Sequence, residues 1–379
     1  MSLLTQHQGL LSALADRGRL RTRQPVAGVD FASNDYLGLA RSGLLRDIAG
    51  AALARGVAPG AGAARLLRGN DAEFVSLETE AAQHFGSGAA LYLANGYVAN
   101  LAIFSALPQA RDLVVHDALI HASAIDGLRL SAAETRPFAH NDVQVAADQI
   151  ADWRSAGGRG HVWIAIESLY SMEGDLSPLA DFHALAEQTD AFLIVDEAHA
   201  TGIWGPGGRG LSAPWAGQER LVTLHTCGKA LGASGALICA AATLCEVLVN
   251  RARGFVYSTA PSPLMAALVR GVLTHLAQDD SRRLALQARV ARAGALAAHH
   301  GLVASGTQIL PIPVGEDHRT MALAAEMQRQ GFDIRGIRAP TVPKGTERLR
   351  LSLTLNPDDT QIDEFFAALA ATLTKEHLR

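Results

Sequence analysis

The stretch "LVTLHTCGKALGASGA", residues 221–236, opens on an apolar run and turns into glycines and small residues around Lys229. Only Lys344 and Lys375 share that residue type; the other thirty of the 33 basic residues are arginine. A short apolar run that ends at a glycine-rich turn predicts a buried strand. The pattern repeats outward in "AALYLA" (89–94), "DLVVHD" (112–117), "HVWIAIES" (161–168), "FLIVDEAH" (192–199) and "GALICA" (235–240). Helical stretches such as "GYVANLAIFSAL" (96–107) lie between the runs. Buried strands spaced by helices predict an α/β fold, with a mainly parallel central sheet and helices on both faces.

The pattern changes toward both ends. Leucines at 3, 10, 11 and 14 form a loose helical stripe, read as an N-terminal arm over residues 1–36, with "FASNDYLGLA" (31–40) as a turn-rich loop. "FVSLETEAAQHFG" (74–86) predicts a helix that ends at Gly86. Residues 37–276 carry the strand–helix alternation. Beyond them "RLRLSLTLN" (348–356) alternates strictly, with Leu349, Leu351, Leu353 and Leu355 on one face. That predicts a half-buried antiparallel strand. Ile362, Phe365, Phe366, Leu369 and Leu373 recur at helical spacing. A smaller C-terminal α+β domain over 277–379 is expected.

The totals exclude several classes. With 379 residues and about half of them apolar, the chain can build a large core. A formal net charge of −4 offers no basic field for nucleic acid. Cys227, Cys239 and Cys245 show no framework spacing, which fits a reducing cytoplasm. The first residues lack the basic start and unbroken apolar run of a secretory signal. "GALICAAATLC" (235–245) is too short to span a bilayer, so no membrane partner is expected.

Ligands of open α/β sheets bind beyond the carboxyl ends of the strands. There the sequence puts Asp196, His199, Thr226, Lys229, Ser171 and His121. A lysine in a loop is ordinarily a solvated charge, but in a confined site it can lose its proton and form a Schiff base with an aldehyde. A strand-end Asp is equally a helix cap. Taken together, the two point to pyridoxal phosphate, whose ring nitrogen Asp196 would keep protonated. His199 would then reach the phenolic oxygen and His121 would stack on the ring. Gly96 and Tyr97 stand where a strand turns into a helix. Free N–H groups there suit a phosphate, although an ordinary turn reads the same way. Thr226 offers that phosphate a hydroxyl. "GPGGRG" (205–210) has the dinucleotide spacing but neither the strand before it nor the helix after it. Ser234 lacks a full G-x-S-x-G elbow, and the histidines lack H-E-x-x-H spacing.

In relative order, "NGYVAN" (95–100), "SMEGDLSPL" (171–179), "DEAHATG" (196–202), "TCGKALG" (226–232) and "YSTAPSP" (257–263) resemble the α-oxoamine synthases. These are pyridoxal-phosphate enzymes of the aspartate-aminotransferase-like fold type I, and the likeness spans nearly the whole chain. "LRTRQPV" (20–26), "FAHND" (138–142) and "IRAPTVPKGTERLRLSLT" (337–354) resemble the branch of biotin biosynthesis. That branch is an acyltransferase condensing L-alanine with a pimeloyl thioester, on coenzyme A or acyl-carrier protein, with loss of carbon dioxide. A sister synthase using glycine and acetyl-CoA, or another α-oxoamine synthase, is the alternative.

The resemblance implies that Lys229 carries the cofactor, Asp196 faces its ring nitrogen, His199 faces its phenolic oxygen and His121 stacks on it. Gly96, Tyr97, Ser171 and Thr226 would complete the cofactor site. Thr259 would reach the phosphate of a neighbouring subunit in a homodimer with shared sites. Arg21, Asn34, His121, Arg338 and Thr341 would contact substrates, and no metal is implied. The chain departs from the family where a His usually stands four residues before the Leu77–Glu78 pair: Glu73 and Phe74 occupy that place. It also carries alanines in "GAGAARLL" (60–67), where Gly and Ser are more usual.

Overall fold

The structure, a computed structural model, describes residues 3–377. Its strands are β1 (Val29–Asp30), β2 (Ala89–Leu93), β3 (Leu113–Asp117), β4 (Glu134–Phe138), β5 (Val162–Glu167) and β6 (Phe192–Asp196). They continue with β7 (Leu221–Thr226), β8 (Ala236–Ala240), β9 (Ile309–Pro313), β10 (Phe332–Asp333), β11 (Arg335–Ile337) and β12 (Arg348–Ser352). The chain forms two compact units. The larger comprises Leu37–Ser171 and Leu176–Arg283, the smaller Met1–Tyr36, Met172–Asp175 and Leu284–Arg379. Residue 276 lies within the helix Pro263–Gln278, so the change in composition read there is not a break in the backbone.

In the larger unit one seven-stranded sheet has the order β2-β8-β7-β6-β5-β3-β4. Strands β3 to β7 pair in parallel, and β8 pairs antiparallel with both β2 and β7. The reversal has a simple cause. Residues 227–235 alone join β7 to β8, and a parallel return needs about a dozen residues or more. That short connection is the loop carrying Lys229.

Strands β3, β5 and β7 are buried at every position, so both faces of the sheet are covered. Period-two alternation divides their side chains between two cores. Val114, Trp163, Ile194, Val222 and Leu224 pack with Ala99, Ile103 and Phe104 of the helix Gly96–Ala106. Val115, Ile164, Val195 and Leu221 pack on the other face with Ile150, Trp153 and Phe182. Each such side chain contributes about 1.5–3 kcal/mol of burial. Asp196 and Thr226 share parity with Ile194 and Leu224, which directs them toward the helix Gly96–Ala106.

The smaller unit holds a three-stranded antiparallel sheet of order β11-β12-β9 and a parallel β1–β10 pair. Phe31, Leu310, Ile312, Leu349, Leu351, Phe365 and Phe366 form its core, the rings of Phe31 and Phe365 lying 4.4 Å apart. The expectation for β12 needs correcting. It is central and buried on both faces, because Arg350 and Ser352 on its polar face bond within the unit instead of facing water. Leu355 lies beyond the strand. The arm forms a helix, Thr5–Asp16, none of whose residues is buried. No helix among the described residues is long and apolar enough to cross a membrane.

Gly235, just before β8, has φ +103°, and a Cβ there would fall 2.2–2.4 Å from Tyr92 ring atoms. Gly235→Ala should therefore destabilise the fold by roughly 2–4 kcal/mol, from left-handed strain and overpacking together. Chemical denaturation measures this, and a loss below about 1 kcal/mol would contradict the packing described.

Candidate active site

The Lys229 loop is tied across its base. Cys227 N–H donates to Gly235 O (2.9 Å), Ala233 N–H to Cys227 O (2.9 Å) and Gly232 N–H to Lys229 O (2.9 Å). Tyr92 supports it from β2, its hydroxyl donating to Ser234 O at 2.6 Å. Behind Tyr92 stands Phe74, fully buried and stacked on it with centroids 5.9 Å apart. The Arg65 guanidinium lies 4.7 Å from the Phe74 ring and makes two 2.9 Å bonds to Glu78, whose Oε1 also accepts the Tyr92 N–H (2.8 Å). Phe74 is thus part of the packing that backs the lysine loop.

Lys229 is half-buried, with Nζ 2.7 Å from His199 Nε2. Asp196 is buried at the end of β6. Its Oδ1 accepts the Ala198 N–H (2.9 Å) and its Oδ2 accepts Asn100 Nδ2–H (2.9 Å). The next residue, Glu197, bonds elsewhere, accepting the Ser168 hydroxyl (2.6 Å) and the N–H groups of Leu211 (3.1 Å) and Ser212 (2.6 Å). Burial pushes the Glu197 pKa up, and those hydrogen bonds oppose the shift. The turn from Asp196 to His199 is thereby clamped to the segment after "GPGGRG". "GPGGRG" and the segment after it carry only short 3₁₀ turns, Pro206–Gly208 and Ala213–Trp215.

Gly96 begins its helix behind the N-cap Asn95, which accepts from Val98 N–H. A Cβ on Gly96 would lie 2.6 Å from Thr226 Cγ2, so the helix N-terminus and the end of β7 meet only because the residue is glycine. The Thr226 hydroxyl donates to Ala198 O (3.2 Å). Tyr97 is more exposed, its hydroxyl bonding to Asp126. Ser171 is buried, with its N–H donating to Glu167 (3.3 Å). His121 caps the helix Ala122–Arg129 and contacts Ser123. Thr259 stands apart: it is exposed, its backbone bridges Ala64, and it lines a cleft of about 250 Å³ with Arg65, Tyr92 and Pro261.

The substrate residues expected from the sequence lie in the smaller unit, His121 excepted. Arg21 donates to the Thr341 hydroxyl (3.1 Å), and Arg338 donates to Leu20 O (3.0 Å). Burial pulls the Arg338 pKa below the ordinary arginine value, the charges of Arg21 and Arg19 add to that, and Asp317 opposes. Asn34 accepts from Arg350 (3.1 Å) and from the Tyr36 hydroxyl (3.0 Å).

Three residues carry the geometry without having drawn an expectation. Asn100 was legible in principle, standing one helical turn after Gly96 and so on the same face. Ser123 had only its place two residues after His121. Arg350 was hidden by the alternation of β12, which reads it as solvent-facing.

Residues 26–369 match the family Aminotransferase class I and II, and the chain belongs to that family. It is 40% identical to the 8-amino-7-oxononanoate synthase of Anaeromyxobacter dehalogenans (strain 2CP-1 / ATCC BAA-258), over 96% of this chain and 94% of that one. It superposes on the 8-amino-7-oxononanoate synthase of Francisella tularensis with TM-score 0.76 at 25% identity, covering 92% of this chain and 99% of that one. A serine palmitoyltransferase from S. paucimobilis, solved with PLP and myriocin bound, shares the fold at TM-score 0.89 and 22% identity over 100% of both chains. The resemblance read from the motifs and the fold type I architecture are both borne out by these likenesses.

Replacing Glu197 by Ala orphans three donors, of buried Ser168 and Ser212 and half-buried Leu211. The Glu197→Ala protein should lose roughly 3–5 kcal/mol in a urea unfolding series. A loss under about 1 kcal/mol would show that the clamp is not structural.

Proposed function

We propose that this chain is a pyridoxal-phosphate-dependent acyltransferase that condenses L-alanine with a pimeloyl thioester, giving 8-amino-7-oxononanoate, carbon dioxide and the free carrier. One geometric observation carries the chemistry: a half-buried lysine amine 2.7 Å from His199, in the same site as an Asp196 carboxylate bonded at both oxygens. The substrates follow from relatives at 40% identity that bear the synthase name.

The residues present fit the cofactor. The bare Gly96 Cα lets the start of the helix Gly96–Ala106 meet Thr226, and the first turn of such a helix suits a phosphate. Lys229 is the amine that would hold it, Asp196 would stand against the ring nitrogen, and His199 and His121 would contact the ring. Ser171, Tyr97 and Thr226 would complete its surroundings. When bound, pyridoxal phosphate supplies an aldehyde carbon for an amine and a ring that takes up the electron pair left at an adjacent carbon.

Each protein group then has a defined task. Lys229, with His199 beside it, takes the proton from Cα of L-alanine and later returns one. Asp196 holds a negative charge that keeps a proton on the nitrogen it faces. Arg21 and Arg338 repel each other, and an anion between them relieves that repulsion, which suits the distal carboxylate of a pimeloyl chain. Thr341 and Asn34 would position the same substrates. Thr259, exposed and apart from the other site residues, fits a homodimer in which it serves the neighbouring subunit's phosphate. A cytoplasmic location belongs to the same reading, since Cys227, Cys239 and Cys245 are all free.

The test compares kcat/KM for L-alanine with pimeloyl thioester, pimeloyl methyl ester thioester and acetyl-CoA, and then for glycine with each. The charged pimeloyl donor should be preferred about ten- to a hundred-fold over its methyl ester, and Arg21→Ala should reduce that ratio. Faster turnover of glycine with acetyl-CoA would overturn the substrate assignment and favour the sister reaction. Separately, borohydride reduction should attach the cofactor to the peptide containing Lys229, and Lys229→Ala should lose turnover by several orders of magnitude. Label on Lys344 or Lys375 would refute the lysine's role. Sedimentation of the active enzyme as a monomer would refute the shared site.

A further inference from the structure

Asn100 and Ser123 join two residues of the site. Asn100 Nδ2 donates one proton to Asp196 Oδ2 (2.9 Å) and lies 2.9 Å from Ser123 Oγ. Ser123 Oγ lies 2.7 Å from His121 Nδ1, and the Ser123 backbone N–H points at the same nitrogen (3.2 Å). Asn100, Ser123 and Asp196 are buried, with 3%, 0% and 7% of their surface exposed.

The protons along this chain can be assigned by elimination. A carboxylate oxygen only accepts, so the amide nitrogen of Asn100, not its oxygen, faces Asp196. The second amide proton then goes to Ser123 Oγ. That leaves the Ser123 hydroxyl its own proton and one further lone pair, so it can meet His121 Nδ1, 2.7 Å away, as donor or as acceptor. The Ser123 N–H decides between them: it only donates and points at Nδ1, so Nδ1 carries a lone pair and the hydroxyl donates to it as well. A proton on Nδ1 would meet two donors and break the chain.

We propose that Asn100 and Ser123 are positioning residues that fix the Asp196 carboxylate and hold His121 as the neutral tautomer protonated at Nε2. The relay stands on bonds within the protein. Its consequence for catalysis rests on the reading above, in which Asp196 and His121 face the cofactor ring. It keeps a fixed negative charge at one end and an uncharged ring with a single outward donor at the other. The charged groups facing His121 are Asp196 and Lys229. Although part of the ring meets solvent, the surrounding protein atoms push its pKa below the usual imidazole range; Asp196 opposes the shift and Lys229 adds to it.

Neutron diffraction from the perdeuterated, cofactor-loaded enzyme, above the ordinary imidazole pKa, reads the assignment directly. Expected are deuterons on His121 Nε2, on Ser123 Oγ toward Nδ1, and two on Asn100 Nδ2. A deuteron on His121 Nδ1 overturns the proposal. NMR titration of His121 is the second measurement. Losing a hydrogen bond to the neutral form should raise its pKa by about half to one unit in Ser123→Ala, and Ser123→Thr should restore the original value. An unchanged titration in Ser123→Ala also overturns it. The visible absorption of the bound cofactor, recorded on the same samples, reports separately whether the cofactor reading holds.

Discussion

A carboxylate buried at the end of a hydrophobic strand is costly unless hydrogen bonds replace the water it has lost, and Asp196 is such a group. Its two oxygens are met by the Ala198 N–H just past the strand and by Asn100 on the helix across the sheet face. That requirement fixes the rest of the larger unit's site. The helix Gly96–Ala106 must lie close enough for Asn100 to reach, which brings its N-terminus onto Thr226 and leaves room there only for glycine. The turn after β6 must hold Ala198 in place, and Glu197 does so by bonding on the opposite side. The same amide that satisfies Asp196 reaches Ser123, and through it His121.

The lysine loop is held by a different device. Residues 227–235 are too few to cross over the sheet, so the chain doubles back, and backbone bonds close the loop on itself. Tyr92 and Phe74 then press on it from behind, anchored by the buried Arg65–Glu78 pair. A histidine at position 74 would offer ring nitrogens in need of partners; phenylalanine offers its ring to Tyr92 and to the Arg65 guanidinium.

The smaller unit shows a buried guanidinium of another kind. Arg350 lies on the central strand of its sheet and is bonded to Asn34, Ser352 and Tyr36, side chains from segments more than three hundred residues apart and from its own strand. Segment 29–36 is stitched to β12 there, with Ser352 N–H donating to Phe31 O and Leu355 N–H to Tyr36 O. An arm read as an appendage therefore divides in two: the exposed helix Thr5–Asp16, and a stretch that is part of the smaller unit's core.

The sequence by itself determined the strands of the larger sheet, because runs such as "FLIVD" and "LVTLHT" are short and mostly apolar and end at a charge or a glycine-rich turn. It also held the local signals on which the proposed chemistry rests: a lysine in a chain nearly without lysine, a strand-end Asp and a glycine opening a helix. It did not fix the direction of β8, since "GALICA" reads the same either way and only the length of the preceding loop decides. Nor did it separate Arg350 from a solvated arginine, because strict alternation does not say whether the second face is covered. Asn100 and Ser123 were not singled out, because a hydrogen bond between residues 23 or 96 positions apart leaves no periodicity. Patterns of burial are written locally and survive in the sequence, whereas partners for buried polar groups come from whatever the fold brings near, and only the tertiary structure names them.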